Sequence, residues 1–168
     1  MTTQILTQAD LKAQLNYDPL TGIFTRLIAN SPRVKVGDVA GCKNVHGYLV
    51  ISVNGRLYSI HRLAWLYTHG EWPKNSLDHI NCIRDDNSLN NLREATNAEN
   101  CQNKIKPSAD SSSGLLGVSW NKAEGKWRAR IKVNYKETHI GYFTDKFEAR
   151  SAYLAKKIEL HPFGMIEI

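Results

Sequence analysis

Apolar positions along this chain recur in short bursts, some at helical and some at strand spacing, and predict a string of small elements. Leu6 to Leu15 places Leu11 and Leu15 on one face, with Thr7 as N-cap, and predicts a short helix. Asp18-Pro19 and Thr21-Gly22 signal a turn before Ile23-Phe24-Thr25, a predicted strand. Tyr48 to Val53 and Arg56 to Ile60 are strand-like runs joined by Asn54-Gly55, a pair suited to a type I′ hairpin because both central residues need positive φ. His61 to Thr68 offers Leu63, Leu66 and Tyr67 at helical spacing, and Gly70 closes it. Asn97 to Lys104 can form a helix with Asn97 as its N-cap.

Further along, Gly117 to Trp120, Lys126 to Val133 and Glu137 to Phe143 predict three short strands. Lys146 to Leu160 predicts a helix whose apolar face holds Phe147, Ala149, Ala152, Tyr153, Ala155 and Ile158. The intervening Pro107 to Gly114 is small, polar and poor in anything to bury, the composition of a linker. The expected organisation is therefore α+β in two parts: residues 1–106 with a core at 47–104, a linker at 107–113, and a compact unit of three strands and one helix at 114–168.

Composition narrows the function classes. The chain has 168 residues, of which 42% are hydrophobic and 23% charged, as in ordinary globular proteins. No apolar run spans a bilayer and Met1 to Asp10 lacks a signal pattern, so a cytoplasmic place is expected. Cys42, Cys82 and Cys101 are scattered without a C-x-x-C pair, which fits free thiols and neither a disulfide framework nor a cysteine zinc site. A formal charge of +6 favours polyanion partners, since a cation set against a phosphate releases condensed counterions.

The chemistry-bearing stretch is Leu77-Asp78-His79-Ile80, followed by Asp86-Asn87, Asn91-Leu92-Arg93 and Glu99-Asn100-Cys101-Gln102-Asn103-Lys104. An Asp-His pair in a strand points its side chains to opposite faces, so one can hold a metal while the other addresses a different part of a site. Hydrolysis of a phosphodiester needs an activated water, for which histidine is the usual proton acceptor near neutrality. It also needs a cation on the phosphate, and Asp and Asn oxygens are hard donors of the kind magnesium prefers. Taken alone, Asp78-His79 also fits an exposed turn pair, and the asparagines fit loop formers.

As an ordered set, however, residues Gly47 to Lys104 resemble the HNH homing endonucleases of phages and mobile introns. The shared features are a hairpin, His61-Arg62-Leu63-Ala64, Asp78-His79-Ile80, Asp86-Asn87, Asn91-Leu92-Arg93 and Glu99-Asn100. The resemblance implies a ββα-metal (HNH, His-Me finger) nuclease domain around one Mg2+ (or Mn2+) per active site. By position it makes His79 the general base and Asp78 and Asn100 the metal ligands, with Asn100 standing where many relatives have histidine. Asn91 matches the central asparagine that ties down the inter-strand loop. Asn87 and Asn103 are expected to support the site by hydrogen bonding, and His61 to pack its helix on the hairpin. Cys82 departs from the pattern, which commonly has glycine there.

Ser113 to Gly164 resembles the AP2 domain, through Gly117-Val118-Ser119-Trp120, Gly125 to Ile131, Ile140-Gly141-Tyr142-Phe143, and Glu148-Ala149 to Tyr153. Independently, alternation sets Trp127, Ala129, Ile131 and Val133 on one face and Arg128, Arg130 and Lys132 on the other. The resemblance adds Ser119, Asn121 and His139 to that cationic face and implies that the sheet binds the major groove. Trp120, Tyr142 and Phe143 are expected in the core. Together the two resemblances imply a magnesium-dependent endonuclease of double-stranded DNA targeted by its second domain, with no membrane and no obligate protein partner. The alternative is a DNA-binding regulator whose HNH half is inactive. An RNA-directed protein fits less well, because the basic sheet lacks the paired exposed aromatics of common single-strand RNA platforms.

Overall fold

The computed structural model describes residues 5–29 and 31–166; the first four residues of the Met1–Asp10 stretch lie outside the described residues. These divide into two compact units, one up to Glu94 and one from Ala95.

The first unit opens with helix α1 (Gln8–Lys12), where Thr7 and Asp10 form a reciprocal capping box. The helix is shorter than expected. Leu15 instead begins strand β1 (Leu15–Asp18), antiparallel to β2 (Ile23–Arg26) with Tyr17 opposite Phe24. Leu15 is fully buried, so its apolar character fitted a helix and a strand equally. Strands β3 (Cys42–Lys43), β4 (Leu49–Val53) and β5 (Arg56–Ser59) form a sheet in the order β3-β4-β5. The β4–β5 turn has φ of 51° at Asn54 and 74° at Gly55, the left-handed pair that the hairpin demands. Helix α2 (Ile60–His69) follows, and Leu63 and Leu66 seal it onto Leu11, Leu15, Phe24 and Ile51. Burying each such side chain contributes about 1.5–3 kcal/mol, which makes this cluster the main anchor of the unit. Strands β6 (Ser76–His79) and β7 (Leu92–Ala95) then pair, joined by a loop that ends in a 3-10 turn at Leu89–Asn91.

The second unit starts with helix α3 (Asn97–Gln102). Its N-cap is Thr96 and not Asn97, because Thr96 and Glu99 stand at capping-box spacing and each side chain meets the other's backbone amide. Strands β8 (Val118–Asn121), β9 (Lys126–Val133) and β10 (Lys136–Phe143) form an antiparallel sheet with β9 in the middle. Helix α4 (Lys146–Leu160), capped by Asp145, covers one face with Ala149 and Tyr153 against Val118, Ala129 and Ile131.

Several expectations for this unit are corrected. On α4, Phe147 and Ile158 are 61% and 66% exposed, whereas Lys157 is 2% exposed. Lys157 Nζ donates to the carbonyls of Lys104 and Met165, each at 2.8 Å, so a cation occupies the place that apolar periodicity gave to Ile158. Trp120 and Tyr142 are not core residues, being 45% and 41% exposed. Tyr142 lies opposite Arg128 and so shares the polar face, and Trp120 meets Trp127 edge-on at the end of the sheet. Residues 107–113 lie inside the second unit, where Ser113 is buried and its Oγ donates to the Val118 carbonyl at 2.6 Å.

Among the described residues, no helix is long and apolar enough to cross a membrane.

Candidate active site and polar sheet face

Strand alternation sends Asp78 and His79 to opposite sides of β6, and each is buried in its own polar setting. The Asp78 Oδ2 accepts from Arg93 Nε at 3.0 Å and Nη2 at 2.8 Å, a fork from the neighbouring strand onto one carboxylate oxygen. On the other side, His79 Nε2 lies 3.2 Å from Asn87 Oδ1. The Asn87 amide nitrogen donates to the Asp85 carbonyl at 3.1 Å, which turns its oxygen towards the ring. Two acceptors cannot share a hydrogen bond, so Nε2 carries the proton and the basic lone pair resides on Nδ1.

The loop between β6 and β7 is pinned throughout its length. The Asn91 side chain accepts from Asn81 N at 2.9 Å and donates to the Asp86 carbonyl at 2.8 Å, spanning the loop. Asp86 in turn receives Asn81 Nδ2 at 2.6 Å and the Ser88 hydroxyl at 2.7 Å, and the Ser88 contact holds its carboxyl below the usual range. Cys82 has φ of 60°, in the left-handed region that favours glycine. Lys43 pairs with Asp85 at 2.7 Å, and Arg84 donates to the His46 carbonyl at 2.7 Å while lying over the Tyr48 ring.

The His79 ring meets His61 edge-on at 5.2 Å and Tyr48 at 5.9 Å between centroids. His61 therefore reaches the buried histidine as well as the hairpin residue Tyr48. Burial lowers the His79 pKa below the ordinary imidazole value, opposed by the Asn87 bond and the Asp78 charge, so the ring is neutral near pH 7. Burial, with His79 and Arg62 nearby, pushes His61 down to about 4. An unfolded chain takes up that His61 proton near pH 6.5, while the folded one resists until about 4. Below 6.5 the unfolded state binds more protons, so stability is lost as pH falls through this window. Denaturant midpoints at stepped pH should decline between 6.5 and 4, by up to about 1.4 kcal/mol per pH unit from this group, and His61→Gln should flatten the decline.

Asn100 is exposed on α3, and Asn103 is buried with its Oδ1 accepting from Met165 N at 3.0 Å. No group of three or more His, Cys, Asp or Glu side chains among the described residues is placed to hold a metal ion. The donors singled out in sequence are of another composition, one carboxylate with an amide oxygen.

In the second unit, the register sets Ser119, Arg128 and Tyr142 in one cross-strand row, and Arg130 with His139 and Lys132 with Glu137 in others. Asn121 joins them, donating from Nδ2 to the Tyr142 hydroxyl at 3.0 Å. Arg130 pairs with Glu137 at 2.6 Å, and His139 lies 4.6 Å from the Tyr142 ring. Arg128 Nε is buried with no hydrogen-bond partner among the described residues. Sequence reasoning missed Tyr142 on this face and gave Arg93 and Tyr48 no role. The strand period could have placed Tyr142, but the partners of Arg93 and Tyr48 depend on register and loop path.

The HNH endonuclease family matches residues 58–102. Protein 3.8 of Escherichia phage T7 is 32% identical over 102 residues, covering 60% of this chain and 83% of that protein. No solved structure matches the chain significantly. Residues 58–102 thus constitute an HNH endonuclease domain, and the chain belongs to the family of phage T7 Protein 3.8.

Proposed function

We propose that the chain is a DNA endonuclease that hydrolyses phosphodiester bonds of double-stranded DNA at the His79 site, with the β8–β10 sheet as an AP2-like surface that holds the duplex. The observation that carries this reading is the buried contact of His79 Nε2 with Asn87 Oδ1, whose amide nitrogen is committed to the Asp85 carbonyl; this favours the tautomer with Nδ1 as the basic nitrogen. Such a nitrogen takes a proton from water, while Nε2–H remains donated to Asn87. Asn91 keeps the loop that presents Asn87 in one conformation, and Arg93 fixes the orientation of Asp78.

The donor chemistry fits a hard divalent cation. Magnesium keeps several waters and takes one or two carboxylate or amide oxygens from the protein. Asp78 and, by the family pattern, Asn100 would supply them, for one Mg2+ (or Mn2+) per site. When bound, the ion would offset negative charge on the phosphate and the leaving oxygen. The donor set is oxygen-rich and suits magnesium better than zinc.

Support for duplex binding comes from the sheet. Lys126, Arg128, Arg130 and Lys132 share one face with Ser119, Asn121 and His139, and the unpartnered Arg128 Nε is a donor that a phosphate or base edge would satisfy.

One observation favours a second reading. The Arg93 fork already neutralises Asp78, as in a purely structural ion pair, and this fits a DNA-binding regulator with an inactive HNH domain. Incubating the full chain with duplex DNA in magnesium, and scoring binding and strand breaks on the same samples, separates the two. Breaks that accompany binding are expected; binding without breaks would favour the regulator.

A further inference from the structure

The β1–β2 hairpin lies outside the HNH match, yet its turn packs directly on the loop that carries Asn87. Tyr17, on β1, donates its hydroxyl to the Asn87 carbonyl at 2.8 Å in a buried setting. The Leu89 amide donates to the Pro19 carbonyl at 2.9 Å. Gly22 closes the contact. A Cβ there would stand 2.3 Å from both the Asn87 carbonyl carbon and the Ser88 nitrogen, and the residue has φ of 73°. Only glycine meets both demands, because backbone has nowhere to yield. The turn itself is stiff: Asp18 accepts from Leu20 N and from the Thr21 hydroxyl, and its carbonyl accepts from Gly22 N. Asn87 is 1% exposed, held from beneath by this turn and bonded above to His79.

We propose that the β1–β2 hairpin is a positioning element for His79, acting through Asn87, with Tyr17 and Gly22 as the positioning residues. The inference rests on the reading of His79 as general base. The Tyr17 bond and the Gly22 contact fix the Asn87 backbone, and with it the side-chain oxygen that holds the Nε2–H tautomer. A shift of the Asn87 backbone by a fraction of an ångström would loosen the ring that its side-chain oxygen holds at Nε2.

Tyr17→Phe is the sharper test, since the ring keeps its stacking on Phe24 and loses only the hydroxyl. At saturating DNA in magnesium, kcat should fall about tenfold with KM unchanged, because a small misplacement of a catalytic group carries a cost of this order. Gly22→Ala should do the same or more, by up to about a hundredfold. Leu20→Ala, in the same turn but 80% exposed, should leave kcat as in the wild type. A second readout is independent of cleavage: the 15N spectrum of His79 should show the Nε2–H pattern in the wild type and in Leu20→Ala, and mixed tautomers in Tyr17→Phe. Wild-type kcat and an unchanged His79 spectrum in Tyr17→Phe would overturn the proposal, as would an equal loss in Leu20→Ala. Absence of cleavage by the wild type would sink the nuclease reading instead, and the spectrum would still decide whether the hairpin positions the ring.

Discussion

His79→Ala should abolish DNA cleavage, lowering the rate by about 10²–10⁴-fold, and leave duplex binding within about twofold of the wild type. The loss is expected to be this large because proton transfer by a positioned side chain contributes a factor of this size. The nearby His61 is held neutral down to about pH 4 and is too weak a base. Asn87 presents an acceptor oxygen, and Tyr48 contributes a ring contact. Binding should survive because the basic sheet belongs to the other compact unit. Truncating the ring leaves the buried Asn87 oxygen without its donor, a cost of about 1–3 kcal/mol, so the variant's unfolding midpoint must be measured alongside. Single-turnover rates at saturating DNA, with binding measured on the same preparations, check this prediction. A wild-type rate in His79→Ala would remove the ring from the chemistry.

The double variant Arg128→Ala, Lys132→Ala should weaken duplex binding by roughly ten- to a hundredfold, taking about 1 kcal/mol or more for each lost contact. It should also reduce the slope of log affinity against log salt by about 2, since each phosphate contact contributes about 0.9. The rate of cleavage once DNA is saturating should be unaffected. Glu137→Gln is the informative companion. The Glu137 carboxylate neutralises Arg130 at 2.6 Å, so removing its charge should release a cation to DNA and strengthen binding. Affinity titrations at several salt concentrations check both. An unchanged salt slope in the double variant would show that the face is merely solvated.

How far the sequence could carry this account differs from element to element. The β4–β5 hairpin was legible because Asn54-Gly55 has a narrow conformational meaning, and β9 because its alternation is strict over eight residues. Helix α4 was legible in extent but not in orientation. Its apolar residues spread around the axis, and the buried Lys157 satisfies two carbonyls that only the folded chain brings near. The polar segment 107–113 read as a tether because burial of Ser113 depends on bonds to Leu115 and Val118 that composition does not reveal. Within the candidate site, the types Asp78, His79, Asn87 and Asn91 announced polar chemistry. The tautomer of His79 did not follow from them, since it depends on which way Asn87 turns. The support from Tyr17 lies 70 residues away along the chain, beyond the reach of any local pattern.

The most direct measurement of the central claim is a time course of the full wild-type chain on supercoiled plasmid, in magnesium and in EDTA. The account predicts nicked or linear product accumulating with magnesium and none with chelator. Plasmid that stays supercoiled in magnesium, at protein concentrations where it is visibly bound, would contradict it.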